Sequence, residues 1–191
     1  MANELFSVKD KVVVITGAAG ILGNSMVHHF AAEGAKVVIL DRNEEAGNKL
    51  AADVKAKGGE VTFLYTDVLK KEVVEKNYDD IMAKYGRIDV LINGAGGNMA
   101  GATIAPDKTI FDLDIDAVKK VVELNLFGTV IPTMVFAKAM VEQKEGSIIN
   151  IASESALRPL TRVAGYGVAK AAVVNFTKYM CGELALSLIH I

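Results

Sequence analysis

Tyr166 and Lys170 stand one helical turn apart in Tyr166-Gly167-Val168-Ala169-Lys170, so a phenol and an ammonium share one face of a helix. A free phenol titrates at about 10 and is a poor base at neutral pH, but an adjacent cation favours the phenolate. The pair is therefore a candidate proton donor and acceptor in which Lys170 tunes Tyr166. Upstream, Ser153 closes an apolar run, where its hydroxyl can hydrogen-bond a substrate carbonyl or hydroxyl. Asn125, in Asn125-Leu126-Phe127-Gly128, is a polar residue inside an apolar helical stretch and can hold a water that passes the proton on. Each has a plain structural explanation when taken alone: a surface pair, a capping serine, a locally bonded asparagine. Their order behind a glycine-rich turn makes them read as one catalytic set.

That turn is Thr16-Gly17-Ala18-Ala19-Gly20-Ile21-Leu22-Gly23, between an apolar strand and a helix. Glycines there let the backbone turn tightly and approach a pyrophosphate, whose charge meets free N–H groups at the helix N-terminus. Gly17, Gly20, Ile21, Leu22 and Gly23 are thus candidate contacts for a dinucleotide. Asp41 closes the second strand, where a carboxylate can accept hydrogen bonds from a ribose diol and repel a 2′-phosphate. NAD is expected over NADP, although the neighbouring Arg42 guanidinium can offset that repulsion. The bland alternative for Asp41 is a helix N-cap. Asp67 and Val68 end the third strand on the same rim, where Asp67 is a candidate acceptor for an adenine amino group or, on the plain alternative, an exposed capping residue. Asn93, Ala95 and Gly96, in Asn93-Gly94-Ala95-Gly96, end the fourth, small enough for a nicotinamide ribose to pass close to the backbone.

The elements that must position these residues alternate along the chain. Strands are expected at 11–16, 36–41, 60–67, 88–93 and 147–153. Helices are expected at 22–33, with Leu22, Met26, Val27 and Phe30 on one face, and at 44–57, 70–85, 116–142 and 165–186. Strands that are apolar almost throughout imply burial on both faces, hence an α/β fold with a doubly wound, Rossmann-like parallel sheet and helices on either side. With no linker composition, residues 1–191 read as one domain. The 191 residues carry 21 Lys and Arg against 23 Asp and Glu, and 51% are hydrophobic. Near-neutral charge argues against nucleic-acid binding, and the uninterrupted apolar runs are too short to span a bilayer. The N-terminus lacks a signal-peptide pattern and Cys181 is the single cysteine, which suits a reducing cytoplasm. His28 and His29 have no third ligand nearby in sequence, so no metal site is expected.

With Thr-Gly turn, Asp41, Asn-x-Ala-Gly, Asn-x-x-Gly, Ser153 and Tyr-x-x-x-Lys in this order, the chain resembles the short-chain dehydrogenases/reductases over nearly its whole length. The resemblance implies Tyr166 as general acid/base, Ser153 orienting the substrate and stabilising the phenolate, Lys170 binding the nicotinamide ribose, and Asn125 supporting a proton relay. It also implies a small-molecule substrate and a homo-oligomer in the full-length protein. Two positions depart from the usual pattern. Ile21 stands where Thr-Gly-x-x-x-Gly-x-Gly has glycine, with glycine at 20 instead, and Gly94 replaces the second Asn of Asn-Asn-Ala-Gly. The shifted turn, with Gly96-Gly97-Asn98, Phe111-Asp112-Leu113, Pro132-Thr133 and Arg158-Pro159-Leu160-Thr161, resembles a subgroup that interconverts D-mannonate and D-fructuronate. Asn98 and Arg158 are then candidate contacts for a polyhydroxylated carboxylate; the plain alternative for Arg158 is pairing with an exposed acid.

By the same resemblance at least one further strand, a substrate-covering loop and a closing strand are expected after the last helix. The sheet is then expected to end in an uncovered edge strand. Residues 187–191 depart from the helical pattern and read as a non-native tail on a fragment without turnover of its own. Exposed Cys181 and the apolar tail also predict poor solubility. The alternatives to an oxidoreductase are a nucleotide-binding protein without turnover and an inert fragment of such an enzyme.

Overall fold

The computed structural model describes residues 6–185 and 189–190. Among the described residues six parallel strands, β1 (Val12–Thr16), β2 (Lys36–Asp41), β3 (Glu60–Tyr65), β4 (Val90–Asn93), β5 (Gly146–Asn150) and β6 (Ile189–His190), form one sheet in the order β3-β2-β1-β4-β5-β6. The helices are α1 (Ile21–Ala32), α2 (Glu44–Ala56), α3 (Lys71–Tyr85), α4 (Ile115–Val122), α5 (Gly128–Gln143) and α6 (Ala164–Ala185).

Alternate strand residues feed two cores. Val12, Val14, Val38, Leu40, Leu91 and Ile148 pack on one face with α3, α5 and α6 residues such as Ile81, Phe136, Met140 and Leu184. Val13, Ile15, Val37, Ile39 and Ile92 pack on the other with Val27, Leu50 and Val54 from α1 and α2. Full burial of each such side chain contributes about 1.5–3 kcal/mol, which is why a pleat with apolar residues at both parities lies between two helix layers. Helix ends follow local chemistry: Asn43 caps α2 by accepting from Ala46 N at 3.0 Å, Asp114 caps α4, and α3 stops at Gly86 with φ +69°.

From β1 the chain winds outward through β2 and β3, then returns to place β4 on the other side of β1. Thr16 and Asn93 are register partners at the carboxyl ends of this split, the place where such sheets open a crevice.

Several expectations are corrected. β3 ends at Tyr65 and β5 at Asn150, so Asp67 and Ser153 lie in the turns that follow. The long helix expected at 116–142 is two helices joined by a single π turn, Glu123–Phe127. Leu22 is not on the packed face of α1: it is 71% exposed, and Gly23, Val27 and Ala31 fill that face instead. The sheet does not end at β5, because Ile189 and His190 pair with Gly146 and Ser147. Residues 187, 188 and 191 of the expected tail lie outside the described residues. The stretch Ile115–Gln143 is, at 29 residues, long and apolar enough to span a bilayer by composition. In the fold 56% of its most apolar window is buried, as in the core helix of a globular protein.

Candidate active site

A cleft of about 530 Å³ opens at the split between β1 and β4. It is lined by the glycine turn, by Asp41, Arg42 and Asn43 after β2, by Thr66 to Leu69 after β3, by Gly94 to Gly96 after β4, and by Leu124. The turn is compact because its glycines meet backbone. Gly17 has φ +64°, and a Cβ on it would stand 2.8 Å from Ala95 Cα. A Cβ on Gly23 would stand 2.5 Å from Gly17 O. Gly20 is the N-cap of α1 with φ −73°, a conformation open to any residue, so its value is the lack of a side chain. Thr16 Oγ1 accepts from Gly94 N at 3.1 Å and Ala95 N at 3.2 Å, joining the turn to the β4 wall.

Asp41 caps no helix; Asn43 does. One Asp41 oxygen accepts from Ala19 N at 2.9 Å and the other from Asn43 N at 2.9 Å. Asp67 accepts from Leu69 N at 3.0 Å, shaping the turn after β3, and Val68 is buried against Gly128. Ile21 is 91% exposed, and with Leu22 it offers apolar surface to the cleft beside the free N–H groups of α1. Asn93 is a correction: it does not line the cleft. Its Nδ2 donates to Thr133 Oγ1 at 2.9 Å and to Asn150 Oδ1 at 2.8 Å, while its buried Oδ1 has no partner among the described residues. The polarity of a strand end gave no sign of which way that side chain turns.

At the inner end of the cleft Gly96 separates two of the chemical groups. A Cβ there would stand 2.7 Å from Asn125 Oδ1 and 3.4 Å from Lys170 Nζ. Lys170 is 4% exposed and donates to Ile151 O at 2.7 Å; its Nζ lies 5.7 Å from the Tyr166 ring centroid. Burial pulls the Lys170 pKa below its ordinary value. Tyr166 packs against the small cluster of Ala102, Ala117 and Val121. Asn125 is fully buried on the π turn, and its amide is committed: Nδ2 donates to Gly97 O at 2.7 Å and Val121 O at 2.8 Å, and Oδ1 accepts from Gly97 N at 3.1 Å. The side chain thus clamps the loop after β4.

Ser153 caps the short 3₁₀ turn Glu154–Ala156. Its Oγ accepts from Ser155 N at 3.2 Å and from Ser155 Oγ at 2.9 Å. With both lone pairs engaged, its own proton is left to donate. Asn98 donates to Thr103 Oγ1 at 2.9 Å. Arg158 pairs with exposed Glu154 at 2.7 Å. It lines a second cavity of about 430 Å³, whose α6 lining of Ala164, Gly167, Val168 and Ala171 excludes Tyr166 and Lys170. Ala19, Asn43, Thr66, Leu69 and Leu124 complete the dinucleotide-shaped cleft beside Gly94, and Ser155 completes the serine pair; of these only Gly94 was singled out from sequence. Asn43 carried a signal, a capping residue just after the β2 aspartate.

Comparison with known proteins agrees with this geometry: the family model described as short chain dehydrogenase matches residues 11–191. The chain belongs to the short-chain dehydrogenase family. An uncharacterized oxidoreductase of Haemophilus influenzae is 37% identical over 184 residues, covering 91% of this chain and 65% of the relative. This short-chain dehydrogenase chain thus spans about two thirds of that relative's length. A Haemophilus structure with bound NAD, of an assumed D-mannonate oxidoreductase, superposes with TM-score 0.90 at 36% identity, covering 96% of this chain and 69% of that one. An NAD⁺-bound xylitol dehydrogenase superposes with TM-score 0.90 at 30% identity, covering 96% and 68%.

Proposed function

We propose that the protein is an NAD-dependent oxidoreductase that moves hydride between nicotinamide and a secondary alcohol or ketone. The observation that carries this reading is the position of Gly96, with the buried Lys170 beside the Tyr166 ring at the inner end of a cleft shaped for a dinucleotide. The residues present suit the cofactor. The N-terminus of α1 offers unpaired N–H groups for a pyrophosphate, Asp41 faces a ribose diol, and Gly94 to Gly96 leave room for a flat ring. NAD is favoured over NADP by the Asp41 carboxylate. The NAD-bound relatives support the same choice.

The nicotinamide, when bound, supplies or accepts the hydride. Ser153 donates its free proton as a hydrogen bond to the substrate oxygen and fixes the carbonyl. In reduction, Tyr166 gives its hydroxyl proton to that oxygen; in oxidation it takes the proton back. Lys170, anchored on Ile151 O, keeps a positive charge behind the Tyr166 ring and a donor beside the cofactor ribose. Asn125 holds Gly97, and with it the wall at Gly96.

A small sugar acid of the D-mannonate and D-fructuronate type is the substrate class we infer, supported by the resemblance of the turn and of the Asn98 and Arg158 segments. Arg158 already pairs with Glu154, so such a carboxylate would share or compete for its guanidinium. A homo-oligomer is inferred, in line with the exposed apolar residues Phe127 on the π turn and Met134 and Val141 along α5. The test begins with fluorescence titration of the chain by NADH and NADPH, expecting NADH to bind at least about tenfold tighter. NADH oxidation is then followed with D-fructuronate and a panel of other keto acids and ketones, against Tyr166→Phe. Binding with no Tyr166-dependent turnover on any of them would support a nucleotide-binding protein without catalysis or an inactive fragment of such an enzyme, and no binding would sink the reading.

A further inference from the structure

The two bonds of Asp41 reach the two lips of the cleft: Ala19 belongs to the glycine turn, Asn43 to the junction of β2 with α2. We propose that Asp41 is a positioning residue that holds the glycine turn in its binding conformation, separately from any contact it makes with a ribose. This rests on the dinucleotide reading above. Thr16 Oγ1 ties the start of the turn to Gly94 and Ala95, and Gly20 O accepts the helix bond from Asn24 N at 2.8 Å, but the N–H groups between them have few other ties. Gly20, standing at the N-cap of α1, has no side chain to cap the helix. Gly20 N reaches Gly17 O at 3.2 Å, and Ala18 N reaches Leu40 O only at 3.4 Å. The bond from Ala19 N to Asp41 is the shortest of the three and the one with a charged acceptor, which makes it the strongest. The carboxylate that closes β2 thus secures a turn in which glycine stands at 20.

Exchanging Asp41 for a small neutral residue removes the charge that repels a 2′-phosphate, but it also releases the turn that meets the pyrophosphate. A single substitution at 41 therefore weakens NADH without yielding tight NADPH binding.

The experiment uses the whole chain, NADH, and the NADH analogue lacking both hydroxyls on the adenosine ribose. In Asp41→Ala, affinity is expected to fall about tenfold or more for NADH, the loss of a hydrogen bond to a charged group, and still by severalfold for the dideoxy analogue. Asp41→Asn, whose amide oxygen can accept from Ala19 N, is expected to recover part of the loss on the analogue. If Asp41→Ala binds the dideoxy analogue as well as the unaltered chain does, Asp41 acts through the ribose alone and the proposal falls. Should Asp41→Ala fold poorly, amide hydrogen exchange on the unaltered chain decides: Ala19 N–H is expected to be protected, and exchange at the rate of an open loop would overturn the proposal. Failure of the unaltered chain to bind NADH would instead remove the dinucleotide reading and the inference with it.

Discussion

Replacing Asn125 by alanine separates two roles that this residue can have, a clamp on the loop after β4 or a holder of a relay water. The side chain is fully buried and makes three hydrogen bonds, two to Gly97 and one to Val121 O. Each contributes about 1 kcal/mol net, so their joint loss costs about 3 kcal/mol. For a domain of this size a loss of 1 kcal/mol lowers Tm by about 2–4 °C, which places Asn125→Ala about 6–12 °C below the unaltered chain. Asn125→Asp should fare worse, since a carboxylate oxygen would then face the carbonyls of Gly97 and Val121. Because Asn125 holds Gly97 next to Gly96, which lines the cleft, NADH affinity is expected to drop with stability. Thermal melts and NADH titrations on both variants provide the assay. A Tm within about 2 °C of the unaltered chain, together with unchanged NADH affinity, would refute the clamp; turnover lost under those conditions would assign Asn125 to the relay alone.

Two further outcomes follow from charge. Burial pushes the Asp89 carboxyl up, but the Arg87 hydrogen bond, the Val12 N–H and the charges of Arg87 and Lys11 outweigh it and hold its pKa below the usual carboxylate range. A depressed carboxylate adds stability that is present above the unfolded range and lost as pH falls through the folded value. The Tm gap between the unaltered chain and Asp89→Asn should therefore be widest near pH 7 and close below about pH 4; a gap independent of pH would contradict the pairing. Lys170 works in the opposite range. Its lowered pKa means that the unfolded chain binds more protons between the folded value and about 10.5, so folded stability rises with pH across that window. Melts at pH 7, 9 and 10 should show the unaltered chain gaining on Lys170→Met, and parallel curves would count against a buried ammonium.

The fold was legible because both of its periodicities are carried by apolar residues. β2 was expected at 36–41 and is found there, since Val37, Val38, Ile39 and Leu40 are all buried and leave no room for a one-sided alternative. The misplacements come from interactions that have no period. β5 stops at Asn150 because the chain leaves the sheet where Ile151 O receives Lys170, a partner far along the sequence. The π turn forms where Asn125 bonds across to Gly97, and a hydropathy pattern reads straight through it. Leu22 looked like core because apolar residues at helical spacing normally are, yet at the first turn of α1 it borders the cleft.

The site shows the same division between residue type and residue direction. Ser153, Tyr166 and Lys170 could be picked out because their chemistry is rare in combination. What each can do depends on where its protons point, and that is set by neighbours of ordinary type. Ser153 is able to donate to a carbonyl because Ser155 fills its acceptor positions twice over. Asn93, equally polar but still within β4, is turned away by Thr133 and Asn150 and serves the packing of β4 against α5 and β5. Thr133 spends its own proton on Thr129 O, so it can only accept, and this forces the Asn93 amide nitrogen toward it and away from the cleft. The direction of donation, more than the presence of a polar group, therefore separates a residue that acts on substrate from one that holds the frame.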